Sequence, residues 1–145
     1  MIIEIPMAQV AASRPRVTRW KTFYLPKYEN FKQALKLWLK IKYSKMTPMV
    51  GGVCIHKCVY KMPIPKSWSK KKAERMNNTI HIVKPDKDNL DKALKDAMSG
   101  IIYNDDCQVW RTVESYKVWS KTPSIVVDIS EMDGFEDIKG VSSGK

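Results

Sequence analysis

Hydrophobic positions along the chain change period several times, and each change predicts an element. Ile2–Met7 alternates apolar and polar residues, as a half-buried strand does. Pro26 suits a helix start. After it Phe31, Ala34, Leu35, Trp38, Leu39 and Ile41 form an apolar stripe to about Lys45, with lysines at the other positions. That is a core-packed amphipathic helix rather than a membrane helix. Thr47–Gly52 breaks the pattern, and Val53–Met62 reads as a strand. A Pro-bounded turn opens Pro63–Asn78, where a short helix near Ser69–Met76 would be capped by Ser67 or Ser69. Thr79–Val83 alternates around His81 and reads as a short strand. Leu90, Ala93, Leu94, Ala97 and Met98 then give the apolar face of a helix over 89–98. Asp88 suits its N-cap, and Gly100 suits the left-handed position after its end. Cys107–Trp119 and Ser124–Ser130 supply two strands with many β-branched residues, joined as a hairpin near Lys121–Pro123.

This order implies an α+β protein: a single compact domain over 1–130, with a mixed β-sheet and helices mainly on one face. Residues 131–145 have few apolar positions and read as an acidic, flexible tail. Local pattern does not give the strand order, and no internal repeat is evident.

Charge changes the picture. A length of 145 residues with 43% apolar content suffices for one domain with a core. The formal net charge is +11, and the tail beyond Ser130 holds four acids against two lysines, so the body is more basic still. Such charge argues for a polyanionic partner, although a basic scaffold or ribosome-associated protein would share it. Arg14, Arg16, Arg19 and Lys21 surround Trp20 in a stretch where Pro15 disfavours helix. An extended basic arm of this kind suits nucleic-acid backbone; the bland reading is a solvated loop. Lys66, Lys70, Lys71, Lys72 and Arg75 form a second basic run, read as phosphate contacts rather than a solvated face.

No apolar run approaches the roughly 20 residues of a membrane span, and the N-terminus lacks signal-peptide character. Three cysteines suggest no disulfide framework. The expected compartment is reducing cytoplasm, with no membrane partner. Cys54, His56 and Cys58 would share one strand face, but Cys54 and Cys58 would lie about 13 Å apart. That is too far for one zinc ion with Zn–S bonds of about 2.3 Å. His81 could serve as a general base, and a structural role is the simpler reading.

The main anomaly in this basic chain is acidic. Asp86, Asp88, Asp91, Asp96, Asp105 and Asp106 lie within Lys84–Val109, six of the fifteen acidic residues. Asp86 and Asp88 fall at the positive end of the 89–98 helix, where anions are stabilised. Lys92 follows Asp88 at i+4, so the two side chains can meet. Ten helical steps to Ser99 travel about 15 Å. Six extended steps from Gly100 cover roughly 20 Å. The chain can therefore return Asp105-Asp106 to the side of Asp86 and Asp88. Clustered carboxylates suit a hard divalent cation that keeps waters for a phosphate; the bland reading makes them caps and a turn. An EF-hand loop from Asp86 fails, because Asp91 and Ala97 stand where Gly and Glu are needed. A DxDx(T/V) phosphatase motif fails as well, since Lys84-Pro85 replaces a buried strand and Leu90 the hydroxyl residue. Asp91 and Asp96 face differently on the helix, and Asp91→Asn is expected to be nearly silent.

Pro85-Asp86-x-Asp88-Asn89-Leu90-x-Lys92-Ala93, then Asp96-Ala97-x-x-Gly100, then Asp105-Asp106-x-Gln108-Val109, resembles the signature of the RusA family of Holliday junction resolvases. Arg14-Pro15-Arg16-Val17-Thr18 and Pro65-Lys66-Ser67-Trp68-Ser69 resemble segments of its phage and Gram-positive branch. The match covers most of 1–130; Cys107 departs from it, standing where a small residue is usual. The resemblance implies a dimeric, magnesium-dependent endonuclease of bacteria and their phages, with Mn²⁺ as an alternative metal. It implies that Asp86, Asp88 and Asp106 are catalytic metal ligands and Lys92 the catalytic lysine, with Asp105 a lesser candidate. Branched DNA, a four-way junction, is the implied partner, held by the arm and the 66–75 run. The alternative from another class is a non-catalytic basic DNA-binding module.

Overall fold

The structure, a computed structural model, describes residues 1–7, 16–17, 22–23 and 26–132, with backbone alone for 16–17, 22–23 and 26–29. Arg14, Arg19, Lys21 and the tail from 133 onward lie outside the described residues. Arg16 enters a two-residue strand, β2 (Arg16–Val17), which pairs antiparallel with β3 (Thr22–Phe23).

The core forms where three kinds of periodicity meet. In β1 (Ile2–Ile5) Ile3 and Ile5 are buried while Ile2 and Glu4 face out. In β7 (Ser124–Met132) Ile125, Val127 and Ile129 alternate in the same way. Helix α1 (Pro26–Lys42) buries Phe31, Leu35 and Leu39, and α3 (Lys87–Met98) buries Leu90, Ala93, Leu94, Ala97 and Met98. These side chains join one cluster with Val53, Ile55 and Tyr60 of the central strand β4 (Gly52–Pro63). Each fully buried aliphatic contributes about 1.5–3 kcal/mol. Two members of the expected α1 stripe, Ala34 and Ile41, are exposed: the helix presents its i, i+4 row to the sheet, and these two fall beside it.

The sheet is mixed. β1 pairs antiparallel with β7, and β7 antiparallel with β4. On its other edge β4 pairs in parallel with β5 (Val109–Thr112) and then β6 (Ser115–Ser120). The expected hairpin between the last two strands does not form, because β6 and β7 lie on opposite sides of β4. Parallel pairing of β4 with β5 requires a long crossover, and that crossover is residues 64–108. It contains α2 (Lys70–Met76) and α3, and α1 and α3 pack together on the core. The α+β expectation, with one compact domain, is therefore met. Among the described residues no helix is long and apolar enough to cross a membrane.

Strand β4 also disposes of the Cys-His-Cys face. Its register against β7 shifts between Ile55 and Lys57, so Cys58 joins the core cluster while Cys54 stays beside the exposed His56, Sγ to Nδ1 3.9 Å. Burial pushes the Cys58 thiol up to about 12.

Candidate active site

The crossover delivers the acidic residues to the surface from two elements. Asp86 is extended (φ −64°, ψ 143°) and occupies the N-cap of α3, without a side-chain cap bond. The helix thus starts two residues before the expected boundary, and Asp88 lies in its first turn instead of capping it. Asp is favourable at both positions, so residue type does not separate them. Asp86, Asp88 and Lys92 are exposed, and their side chains make no hydrogen bond or ion pair among the described residues. The expected Asp88–Lys92 pairing is absent there; the i,i+4 pair of this helix is Lys87–Asp91, at 2.8 Å.

Asp91 has the opposite environment. It accepts from the buried Tyr60 hydroxyl at 2.5 Å, from Lys87 Nζ at 2.8 Å and from Ser115 Oγ at 3.2 Å. Burial, then the neighbouring Cys58 and Asp91, raises Tyr60 well above the ordinary phenol range, so it stays a donor. Asp91 therefore ties α3 to β4 and β6. Asp96 pairs with Lys32 of α1 at 3.6 Å, an exposed contact of small energetic weight.

After α3, Gly100 adopts φ 85° as the stop signal requires. The chain returns through buried Ile102 and Tyr103 to a 3₁₀ turn, Asp106–Gln108, where strand alone was expected. Asp105 caps this turn by accepting from the Cys107 amide at 3.0 Å, which holds its carboxyl below the usual range. Gln108 accepts from the Asp105 amide at 2.8 Å and donates to the carbonyls of Met49 (2.8 Å) and Gly51 (3.0 Å). Glu131 in turn accepts from the amides of Val50 and Gly51, each at 2.7 Å. The turn is fastened to the sheet and Asp106 is left exposed, its carboxyl raised by the adjacent Asp105.

Two hollows open beside α3. One, of about 300 Å³, is lined by Asp88, Asp91, Lys92, Lys95, Asp96 and Asp106. The other, of about 390 Å³, is lined by residues 81–84, Asp86, Lys87, Asp88 and Lys117. Asp88 borders both. The fold thus brings Asp88, Lys92 and Asp106 together in one hollow and Asp86 with Asp88 in the next. Among the described residues, no three His, Cys, Asp or Glu side chains stand close enough to hold a metal ion together. The donor chemistry nevertheless fits Mg²⁺, which takes one or two carboxylates and keeps waters for a phosphate. Asp88 with Asp106, or Asp88 with Asp86, offers such a pair.

Around the second hollow, residues 78–81 run along β6: Asn78 N–H donates to Trp119 O and His81 N–H to Lys117 O. This is bridge pairing in place of the expected strand. His81 is buried, 4.2 Å from the Trp119 ring, and its Nδ1 has no hydrogen-bond partner among the described residues. Burial, then the charge of Lys117, lowers its pKa. The basic run forms α2, capped by Ser69 Oγ accepting from the Lys72 amide. Lys66, Lys70, Lys71, Lys72 and Arg75 are exposed, and Lys72 Nζ lies 4.3 Å above the Trp68 ring. Gln108, Glu131, Tyr60 and Lys117 were not anticipated as supports of the site. Gln108 alone carried a signal, since it follows the aspartate pair at fixed spacing.

A family model described as Endodeoxyribonuclease RusA matches residues 6–130. The chain belongs to the RusA family of endodeoxyribonucleases. The match begins just after β1 and ends within β7, so the RusA region contains both hollows and the 66–75 run. The chain is 37% identical over 110 residues to YqaN, an uncharacterized protein of Bacillus subtilis strain 168. That alignment covers 73% of this chain and 75% of YqaN.

Proposed function

We propose that this RusA-family protein is a Mg²⁺-dependent endodeoxyribonuclease that resolves four-way DNA junctions by paired symmetric nicks, acting in recombination and repair. The observation that carries the proposal is the exposure of Asp86, Asp88, Asp106 and Lys92 around two adjoining hollows, with no side-chain partner for Asp88 and Lys92 among the described residues and the adjacent Asp105 beside Asp106. Carboxylates left free beside a lysine are poised for an external ligand, whereas those needed for folding, such as Asp91, are saturated.

Asp86, Asp88 and Asp106 are the proposed cation ligands, Asp88 acting with Asp106 or with Asp86. When bound, Mg²⁺ supplies charge neutralisation at the phosphate and a more acidic water. Lys92, on the rim with Asp88 and Asp106, stabilises charge developing on the phosphate and leaving oxygen. Lys66, Lys70, Lys71, Lys72 and Arg75 hold the junction strands by their phosphates, as do Arg14, Arg16, Arg19 and Lys21 of the arm. Mn²⁺ would substitute for Mg²⁺. Two cuts on strands of like polarity need two sites and one chain supplies one, so the active form is a two-fold homodimer. A cytoplasmic setting, in a bacterium or through its phage or prophage, accords with this activity.

The test is incubation of the protein with a labelled four-way junction, with and without Mg²⁺. Metal-dependent paired nicks, more efficient than on linear duplex, are the expected result. Binding without cleavage at any Mg²⁺ or Mn²⁺ concentration would establish the non-catalytic DNA-binding module instead. Sedimentation showing only monomer with full resolving activity would remove the dimer.

A further inference from the structure

We infer that Lys117, on β6, is a positioning residue that holds the Asp86 side of the site in place. Its Nζ donates to the carbonyl of Val83 at 2.8 Å and to that of Pro85 at 2.7 Å. These acceptors are two residues apart and end immediately before Asp86. Its own backbone carbonyl takes the His81 N–H at 3.1 Å. One residue therefore grips the approach to α3 at three points.

The approach has little else to hold it. Ile82 is 81% exposed and Val83 52% exposed, so apolar burial contributes little there. Between the His81 amide and the Asp86 carbonyl, which accepts from Leu90 N–H, Lys117 supplies the polar contacts found among the described residues. A lysine suits the task. An ammonium has three donors and no acceptor, and its bonds to carbonyls are charge-assisted and short. The aliphatic stem crosses the half-buried edge of the sheet while the head reaches the loop. β6 is itself paired in parallel to β4, with Lys117 opposite Tyr60. Asp86 is thus referred to the central strand through Lys117, much as Asp106 is referred to the β4 and β7 ends through Gln108 and Glu131. Without Lys117, Asp86 would sample positions away from Asp88, and a cation bound between them would be held less tightly.

This inference rests on the nuclease reading above, and its experiment separates the two. Full-length wild type, Lys117→Met, Lys117→Arg and Asp86→Asn are compared by Mn²⁺ titration followed by electron paramagnetic resonance. Amide hydrogen exchange over 82–90 and the metal dependence of junction cleavage complete the set. Lys117→Met keeps the stem and removes the donors. It should exchange faster at the amides around Asp86, bind Mn²⁺ about tenfold more weakly, and need correspondingly more Mg²⁺ for half-maximal cleavage. Lys117→Arg should restore part of each. If Lys117→Met does not fold, Lys117→Gln, which keeps one donor group, takes its place. Wild type that binds Mn²⁺ and cleaves, beside a Lys117→Met protein with the same metal affinity and metal dependence, overturns the positioning role alone. Faster exchange with unchanged metal affinity also overturns it, leaving only a structural anchor. Wild type that neither binds Mn²⁺ nor cleaves overturns the nuclease reading, and the positioning role falls with it.

Discussion

Asp88 and Asp91 sit about one turn apart on α3 in opposite surroundings. Asp88 is exposed, its side chain without a hydrogen bond or ion pair among the described residues, and borders both hollows. Asp91 accepts from Tyr60, Lys87 and Ser115 in a half-buried seam. The same contrast extends along the site. Asp86, Asp88, Lys92 and Asp106 form an exposed rim; Tyr60, Asp91, Lys117 and Gln108 form a hydrogen-bonded layer beside it. Buried polar groups must be paired because leaving one unmade costs more than making it gains. A free rim is tolerated because water solvates it, and it stays available to metal and phosphate.

The largest expected effect lies on the rim. Asp88→Asn or Asp106→Asn should lower Mg²⁺-dependent nicking by about 100-fold or more, since a hard anionic ligand is removed. Thermal stability should hardly change, and gel-shift binding to the junction should persist or tighten as a negative charge disappears. Near wild-type cleavage by both folded variants would return these residues to caps and turns. Lys92→Ala should lower cleavage by about 10²–10³-fold with a smaller change in Mn²⁺ affinity, read by the same assays.

The satisfied layer should respond in stability instead of activity. Asp91→Ala strands the buried Tyr60 hydroxyl and should destabilise the protein by about 1–3 kcal/mol in urea unfolding. Tyr60→Phe in the same background should recover part of the loss, because the orphaned donor is removed. If Asp91→Ala instead abolished nicking at unchanged stability, the division between rim and layer would be misplaced.

Smaller effects sharpen the boundary. Lys70, Lys71 and Lys72 lie on the exposed α2, away from both hollows. Their joint replacement by Ala should flatten the salt dependence of junction binding, by roughly 0.9 in the log–log slope for each phosphate no longer neutralised. An unchanged slope would make this face merely solvated. The smallest effect concerns His81, which burial and Lys117 hold below its ordinary value of 6.5. As pH falls past about 6.5 the unfolded chain takes up the proton before the folded one does, so stability must decline with acid through that window. The decline cannot exceed about 1.4 kcal/mol per pH unit. His81→Phe, which preserves the packing on Trp119, should remove that component of the pH profile in urea melts.

Much of the fold was legible in sequence because local periodicity records which face is buried. The alternation of Ile3 with Ile5, the spacing of Leu90 with Leu94, and Gly100 all survive as read. Ser69 caps α2, one of the two residues expected there. The presence of a carboxylate-rich site in 84–109 was equally legible, since six acids in so basic a chain need a local reason. What the pattern could not carry was partnership. β6 and β7 look like a hairpin because they are adjacent in sequence, yet each gains more by pairing with an edge of the twelve-residue β4. Cys58 looks coplanar with Cys54 and His56 until a register shift against β7 turns it into the core.

Sequence by itself therefore determined most of the element types, the main core positions, the charge and the clustering of the aspartates. Tertiary structure alone decided which carboxylates are spent and which are free. Asp86, Asp88 and Asp91 are chemically the same residue, and their helical spacing cannot say that Tyr60 and Ser115 wait behind only one of them. Glu131, which composition assigns to an acidic tail, is placed by β7 against the amides of Val50 and Gly51. Lys117, one lysine among many, is placed by β6 under the carbonyls that precede Asp86. Hydrogen bonds between residues 24 to 81 positions apart depend on strand order and register, and neither leaves a local periodic trace in the chain.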